Sequence, residues 1–429
     1  MIRLRSPGAC AASFIANAVL LVATFASVAG TEASAPPVHA CSSGEAWDNA
    51  MNMCMPVASS SSKWQLSGEF NVFGVLSTLP GPRGITQFAA PNMLMLDAGR
   101  SLGQRHFINL EWMATTELWT YPQRGYPELL QIGEEQSNGK PFVDAQHPHS
   151  SPIMGLTLSD TVSLGSGDTL KLFFAPRGPS TDGPVVFMHR DSARYDPDAP
   201  LGHHVGQDVG HISSTVVGVE LAVAQVTIEA SAFNGDEPNP TVVDLPLGSL
   251  NSAALRITYA FAPAHSVMAS VANVRQQDPQ YPGTSSATRL SASIYDHFTI
   301  AEAYSLDHSL IGGSITRHPN GSTLNSLLDE LVLQRGSSAL WGRFEVLQRL
   351  RSELEIPPKA TDEKRWVWTM TLGYTYWTSL HRELQFGVGG SLTLDAVPAS
   401  WADTYGSRTP LTARLIVQIR GSGHTTAEE

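Results

Sequence analysis

From Lys63 onward the chain alternates between apolar and polar positions. Between Trp366 and Trp377, one face carries Trp366, Trp368, Met370, Leu372, Tyr374 and Tyr376. The other carries Val367, Thr369, Thr371, Gly373 and Thr375. A period of two predicts a strand with one apolar side and one small or polar side. Aromatic residues close both ends of the apolar face. At about 3.3 Å per residue and a tilt near 40°, those ends stand roughly 25 Å apart, the height of the apolar band of a transmembrane barrel between its aromatic girdles.

The pattern recurs. Leu384, Phe386, Val388, Leu392 and Leu394 alternate with Gln385, Gly387, Gly389, Ser391 and Thr393. Leu411, Ala413, Leu415, Val417 and Ile419 alternate with Thr412, Arg414, Gln418 and Arg420, broken only by Ile416. Leu255, Ile257, Tyr259 and Phe261 alternate with Ala254, Arg256, Thr258 and Ala260, and residues 67–76 follow suit. Further candidates lie near 105–117, 152–160, 167–175, 211–223, 225–233, 265–275, 287–296, 298–307 and 338–349. The fold class expected is all-β: a single antiparallel transmembrane barrel of about 14 strands, within a range of about 12 to 16. A soluble β-sandwich also alternates. The Gly, Ser, Thr, Gln and Arg of the polar face favour a wet lumen over a sandwich core. One feature points the other way: the last strand is followed by GSGHTTAEE and not by a terminal aromatic residue.

Composition narrows the class. Only 15% of the 429 residues are charged and 42% are hydrophobic, against a usual charged share of about 25%. The net charge of −12 excludes a nucleic-acid partner, which would need a Lys and Arg excess. Past residue 30 no apolar run approaches the roughly 20 residues of a spanning helix, whereas barrel strands average to a neutral hydropathy. Arg3 and Arg5 precede an apolar stretch from Ala9 to Ala29 that ends in small residues, as a secretory signal peptide does. The expected organisation is a signal peptide over 1–29, a periplasmic Cys- and Met-containing segment over 30–62, a barrel over 63–420 and a tail over 421–429. Cleavage removes two arginines and no acid, taking the net charge from −12 to −14.

Export leaves Cys41 and Cys54 of the three cysteines in an oxidising compartment. Two readings stand. A disulfide would close a loop of about 14 residues and contribute roughly 3 kcal/mol. Alternatively Met51, Met53 and Met55 flank Cys54, and thioether with thiolate selects Cu(I).

The middle of the chain carries the densest chemistry. Six of the 14 histidines lie between 147 and 211, in DAQHPH (Asp144 to His149), VFMHR (Val186 to Arg190) and PLGHHVGQDVGH (Pro200 to His211). The stretch from Ala175 to Gly210 has no strand pattern, and a loop of this length is usually functional or disordered. An ordered loop folded toward the mouth or lumen is expected. His147, His149, His189, His203, His204, Asp208 and His211 are the candidate metal ligands, since neutral imidazole suits zinc, copper or nickel. Asp144 is a candidate orienting partner for an imidazole. The alternative is that these histidines hydrogen-bond within a crowded lumen. Ser192 near His189 raises a hydrolase reading, but no G-x-S-x-G turn accompanies it. Asp236 and Glu237, in SAFNGDEPN, read either as cation attractors at a pore mouth or as a solvated loop tip.

Taken together, DAQHPH, FMHR, PLGHH with Asp208–Ile212, SAFNGDEP and WGRFE (Trp341 to Glu345) resemble a family of largely uncharacterised outer-membrane β-barrel proteins of Gram-negative bacteria. The resemblance spans about 140 to 350. It implies residence in the outer membrane and an association with copper or heavy-metal resistance; it implies no reaction. The short Met51–Met55 stretch stands where family members carry longer Met/Cys/His-rich N-termini. The expected function is a porin-like channel for small polar solutes or transition-metal ions, copper or zinc. Arg190, Arg256, Arg414 and Arg420 would line its lumen. The expected partners are outer-membrane lipid, the barrel-assembly machinery and the permeating solute. The rival classes are a non-conducting metal-binding protein and a barrel-embedded hydrolase acting on lipid.

Overall fold

The computed structural model of the chain describes residues 45–48, 53–56 and 63–427, apart from 137, 209, 277–280, 282, 301–302, 320, 358–362 and 382–383. These all lie in one unit, His39–Glu429. A small hairpin pairs β1 (Glu45–Asp48) with β2 (Met53–Pro56), placing Trp47 opposite Cys54. Met53, Cys54 and Met55 are on β2. Cys41, Met51 and the expected signal peptide fall outside the described residues, and with them the disulfide and copper readings.

The body is a closed antiparallel barrel. Its strands are β3 (Trp64–Thr78), β4 (Thr86–Ala89), β5 (Asn92–Leu102), β6 (His106–Ala114), β9 (Gly155–Gly165), β10 (Asp168–Gly178), β11 (Ser213–Val223), β12 (Val226–Asn234), β13 (Ser252–Ala262), β14 (His265–Arg275), β15 (Ser286–Ile300), β16 (Tyr304–His318), β17 (Thr323–Arg335), β18 (Ser338–Leu350), β19 (Lys364–His381), β20 (Leu384–Ala396) and β21 (Leu411–Ala427). Because β4 and β5 share the flank of β3, the wall has 16 strand positions, the upper end of the expected range. Closure is between β21 and β3, with Ala427 opposite Trp64. The last strand thus runs on through Gly421–Ala427, past the expected boundary at 420, and the aromatic at this end of the seam comes from Trp64.

Alternation sorts the wall into two faces. Leu255, Ile257, Tyr259 and Phe261 are exposed while Arg256 and Thr258 between them are buried. On β19, Trp366, Met370, Leu372, Tyr374 and Tyr376 face out, and Val367, Thr369, Thr371 and Thr375 face in. Ile416, which breaks the alternation of β21, points inward and packs with Phe73, Val75 and Trp341. Among the described residues, no helix is long and apolar enough to cross a membrane.

The strands 298–307 and 287–296 expected from the sequence are redistributed: β15 continues to Ile300, and β16 begins at Tyr304. Two of the wall's strand positions went unread, the one shared by β4 and β5 and that of β17. Inward Met93 and Met95 make β5 a continuous apolar run, and inward Leu324, Leu328 and Val332 give β17 a helix-like spacing.

Connections are short at one end, such as 166–167 and 224–225, and long at the other, including 115–154, 179–212 and 235–251. A 16-strand barrel is wide enough for an aqueous channel unless something fills it. Here 115–154 and 179–212 do: nearly all described residues of the second are buried, and most of the first, whose Trp119, Arg124 and Lys140 are exposed. The first holds a short helix α1 (Glu117–Thr120) and an internal hairpin of β7 (Tyr126–Glu135) and β8 (Pro141–Gln146). Leu129, Leu130, Ile132 and Leu201 of the plug pack on Leu347, Val367 and Trp401 near the long-loop end.

Candidate metal centre in the barrel lumen

Buried ion pairs tie the plug to the wall. Arg190 of the plug meets Glu330 of β17 at 2.5 Å, Arg343 of β18 meets Asp196 at 3.3 Å and Glu330 at 3.2 Å, and Arg414 of β21 meets Asp198 at 3.1 Å. Arg289 of β15 holds Asp182 at 2.9 Å. The arginines expected to line an open lumen are therefore engaged. Arg190 belongs to the plug and not to the wall, Arg256 pairs with Glu229 on the neighbouring strand, and Arg420 lies over the Trp377 ring at 3.9 Å.

A tight turn presents the paired histidines. Glu345 accepts the N–H groups of Leu201 and Gly202, each at 3.0 Å, and Arg349 donates to the Leu201 carbonyl. The chain then turns through Gly206, at φ 79°, directly against Gly313 of β16. A Cβ on Gly313 would stand 2.1 Å from the Val205 carbonyl oxygen, so only glycine allows this approach. Ser326 of β17 donates to that same carbonyl at 2.8 Å. His203 and His204 leave the turn with ring centroids 4.6 Å apart. His147, at the end of β8, lies 5.9 Å from His203 and 5.8 Å from His204.

Three groups of ligand atoms result, each with its members within 4.8 Å of one another. They are His147, His203 and His204; His203, Asp208 and His211; and Glu134, His204 and Glu237. The tautomers follow from the acceptors. His147 Nδ1 donates to the Pro148 carbonyl at 2.9 Å and His211 Nδ1 to the Asp208 carbonyl at 2.6 Å. A carbonyl can only accept, so each Nδ1 carries the proton and each Nε2 keeps its lone pair. Neither ring nitrogen of His203, nor Nε2 of His204 and His211, nor either amide atom of buried Gln207 has a hydrogen-bond partner among the described residues. Such a concentration of buried unsatisfied atoms needs an explanation, and an ion or water is the usual one. Burial, then neighbouring imidazoles, holds His203 and His204 well below the usual histidine range, while for His211 burial outweighs the nearby Asp208 carboxylate. They are neutral, the form that binds metal. Burial, and then the facing Glu237 carboxylate, pushes Glu134 well above the usual carboxylate range. Imidazole with carboxylate suits zinc, copper and nickel.

The other candidates sit elsewhere. His149 Nδ1 pairs with Glu117 Oε2 at 2.6 Å, its ring 5.1 Å from that of His211. His189 stands outside the three groups, 3.9 Å from Glu69, and burial takes it down to about 4. Asp144 orients no imidazole; it binds Arg83 at 2.6 Å and accepts from Leu130 N–H and Tyr405. That orienting role falls to Glu117, which the motifs did not flag. Ser192 bonds Ser309 at 2.6 Å and Glu330 at 2.9 Å, not His189. Glu134 was also missed, because its strand lies inside the barrel. Glu237, one of two loop-tip acids singled out in the sequence, joins the centre.

A cavity of about 740 Å³ opens beside this centre at the long-loop end, lined in part by Glu134, Asp236, Glu237 and Arg275. A patch of Met93, Met95, Met113 and Met154 packs under Ile212, next to His211.

No family model and no curated protein matches the chain. Solved structures do. OprB of Pseudomonas putida, in its high-pH structure, is 11% identical with a TM-score of 0.50, over 84% of this chain and 94% of its own. The anion-selective porin from Comamonas acidovorans is 11% identical with a TM-score of 0.48, over 85% of this chain and 100% of its own. A loop L8 deletion mutant of OmpT, an outer membrane protein of Vibrio cholerae, is 8% identical with a TM-score of 0.49, over 84% of this chain and 100% of its own. At these identities the likeness is one of fold alone.

Proposed function

We propose that this chain is an outer-membrane, porin-like barrel that binds divalent transition-metal ions in its plugged lumen and admits them from the long-loop side. The observation that carries the reading is the convergence of His147, His203 and His204, with bare buried nitrogens on His203 and His204. The outward apolar face supports a bilayer setting, and long loops face outward in barrels of this class. The resemblance of the histidine motifs to barrels associated with metal resistance points the same way.

The test uses the purified full chain in detergent, with the unboiled-against-boiled gel shift as the check of barrel closure. Zinc titrated calorimetrically should bind the wild type, and H147A/H203A/H204A should bind it about 100-fold more weakly or not at all. Unchanged zinc binding in the variant would remove the site. A second reading, a barrel that binds metal without conducting, is favoured by the ion pairs that pin the plug. Zinc entry into vesicles loaded with a zinc-sensitive dye separates the two.

A further inference from the structure

The three ligand groups are not independent. His204 belongs both to the Glu134–Glu237 group and to the His147–His203 group, and His203 belongs both to that group and to the Asp208–His211 group. They form a ladder that starts at the open acidic cavity and runs into the plug. The histidine-to-acid spacings fit ions better than hydrogen bonds, although Glu134 and Glu237 bond to each other. His204 Nδ1 is 3.9 Å from both Glu134 Oε1 and Glu237 Oε2, and His203 Nδ1 is 3.4 Å from Asp208 Oδ2. These separations are too long for good hydrogen bonds. Two donors that each sit about 2.0–2.2 Å from one ion stand roughly 3–4 Å apart.

We propose that the ladder is a relay. A divalent transition-metal ion captured by Glu134, Glu237 and His204 passes to His147, His203 and His204, and then to His203, Asp208 and His211, always keeping one protein ligand. This rests on the proposed function and adds to it a direction, a filter and a stoichiometry. At each step a bond to an incoming donor forms as a bond to an outgoing one breaks, and the shared imidazole stays attached. The ion is never left bare in a buried space, which would cost far more than ligand exchange. The filter lies in the change of donors. Two carboxylates and one imidazole hold many hydrated cations, whereas three imidazoles reject magnesium and calcium, which want oxygen ligands. The stoichiometry follows from the lone pair: a neutral imidazole offers one, so His204 or His203 serves one ion at a time. The outer and inner groups share no residue and fill together, leaving His147 alone between them. Saturation is two ions and never three.

Cobalt(II), followed by its visible absorption in a stopped-flow instrument, tests this with the detergent-solubilised full chain. Wild type should take up two equivalents, in a fast and a slower phase. E134Q/E237Q should bind one and load it more slowly by about tenfold or more, because the acidic mouth no longer concentrates the cation. H203A should retain only the fast phase and one equivalent. The unboiled gel shift of each variant establishes that its barrel is closed. Wild-type loading rates and two equivalents in E134Q/E237Q would overturn the relay while leaving the metal-binding function standing. Three equivalents in wild type would also overturn it. No uptake by wild type would remove the proposed function itself, and the relay with it.

Discussion

Glu117 Oε2 lies 2.6 Å from His149 Nδ1, and both side chains are 2% exposed. The same carboxylate oxygen accepts the His149 backbone N–H at 2.9 Å, so one acid fixes both the ring and the chain that carries it. This pair closes the end of the segment that delivers His147 to the metal centre.

Its titration gives the plug a pH window. Burial acts to raise Glu117, but His149 outweighs it and the folded value lies below the ordinary 4.5. Burial acts to lower His149, but Glu117 outweighs it and the folded value lies above the ordinary 6.5. The Glu117 contribution is present above 4.5 and is lost as pH falls through the depressed folded value. The His149 contribution is full below 6.5 and is lost as pH rises through the raised folded value. Protease resistance of the plug should therefore peak between these limits and decline on both sides. E117Q should cost about 3–5 kcal/mol, since it leaves a partner buried without its counter-charge. A flat pH profile in wild type would contradict this account.

Arg343 touches Asp196, Glu330 and the Asp198 carbonyl, the last at 2.7 Å. R343A leaves buried Asp196 without its counter-charge and Glu330 with Arg190 alone, an expected loss of about 3–5 kcal/mol in plug anchoring. Conductance in planar bilayers should rise and become noisier, because the wall survives while the plug loosens. An unaltered conductance would mean that Arg190 and Arg414 suffice to hold it.

The Gly206–Gly313 contact sets the height of the His203–His204 turn. G313V places side-chain atoms where the Val205 carbonyl stands and should push the turn off the wall. Zinc affinity is expected to fall by about 10–100-fold, as for loss of a supporting contact in a metal site, with the heat-dependent gel shift retained. Calorimetry on the closed barrel gives the answer.

Leu372 and Thr371 are sequence neighbours on opposite faces of β19; Leu372 is 53% exposed and Thr371 is buried. In a bilayer L372R should destabilise folding into lipid vesicles by about 2–4 kcal/mol if it sits near the midplane. In a water-soluble setting the same substitution would be nearly neutral. Urea titration in vesicles distinguishes the two.

The wall was legible in the sequence because a strand buried on one side prints its burial as a period of two. Trp366 to Trp377 needs no tertiary information to be read as a barrel strand. The reading failed where the inner face met the plug and not water: Met93 and Met95 of β5, and Leu324, Leu328 and Val332 of β17, are apolar because Met154, Val205, Val185 and Tyr195 pack against them. The histidine motifs could likewise be found from composition, but their partners could not. Glu134 and Glu117 come from a second inserted segment whose apolar residues follow no surface period, since Leu129, Leu130 and Ile132 pack inside the barrel while Trp119 stands exposed.

The sequence by itself determined the two-faced strands and the supply of imidazoles, because both are properties of local order along the chain. Which imidazoles meet was decided only by the tertiary structure. His147 and His203 are brought to 5.9 Å by barrel closure, by a glycine-to-glycine contact with β16 and by buried ion pairs to β15, β17, β18 and β21. Long-range closure of this kind leaves no periodic trace in the segments it joins.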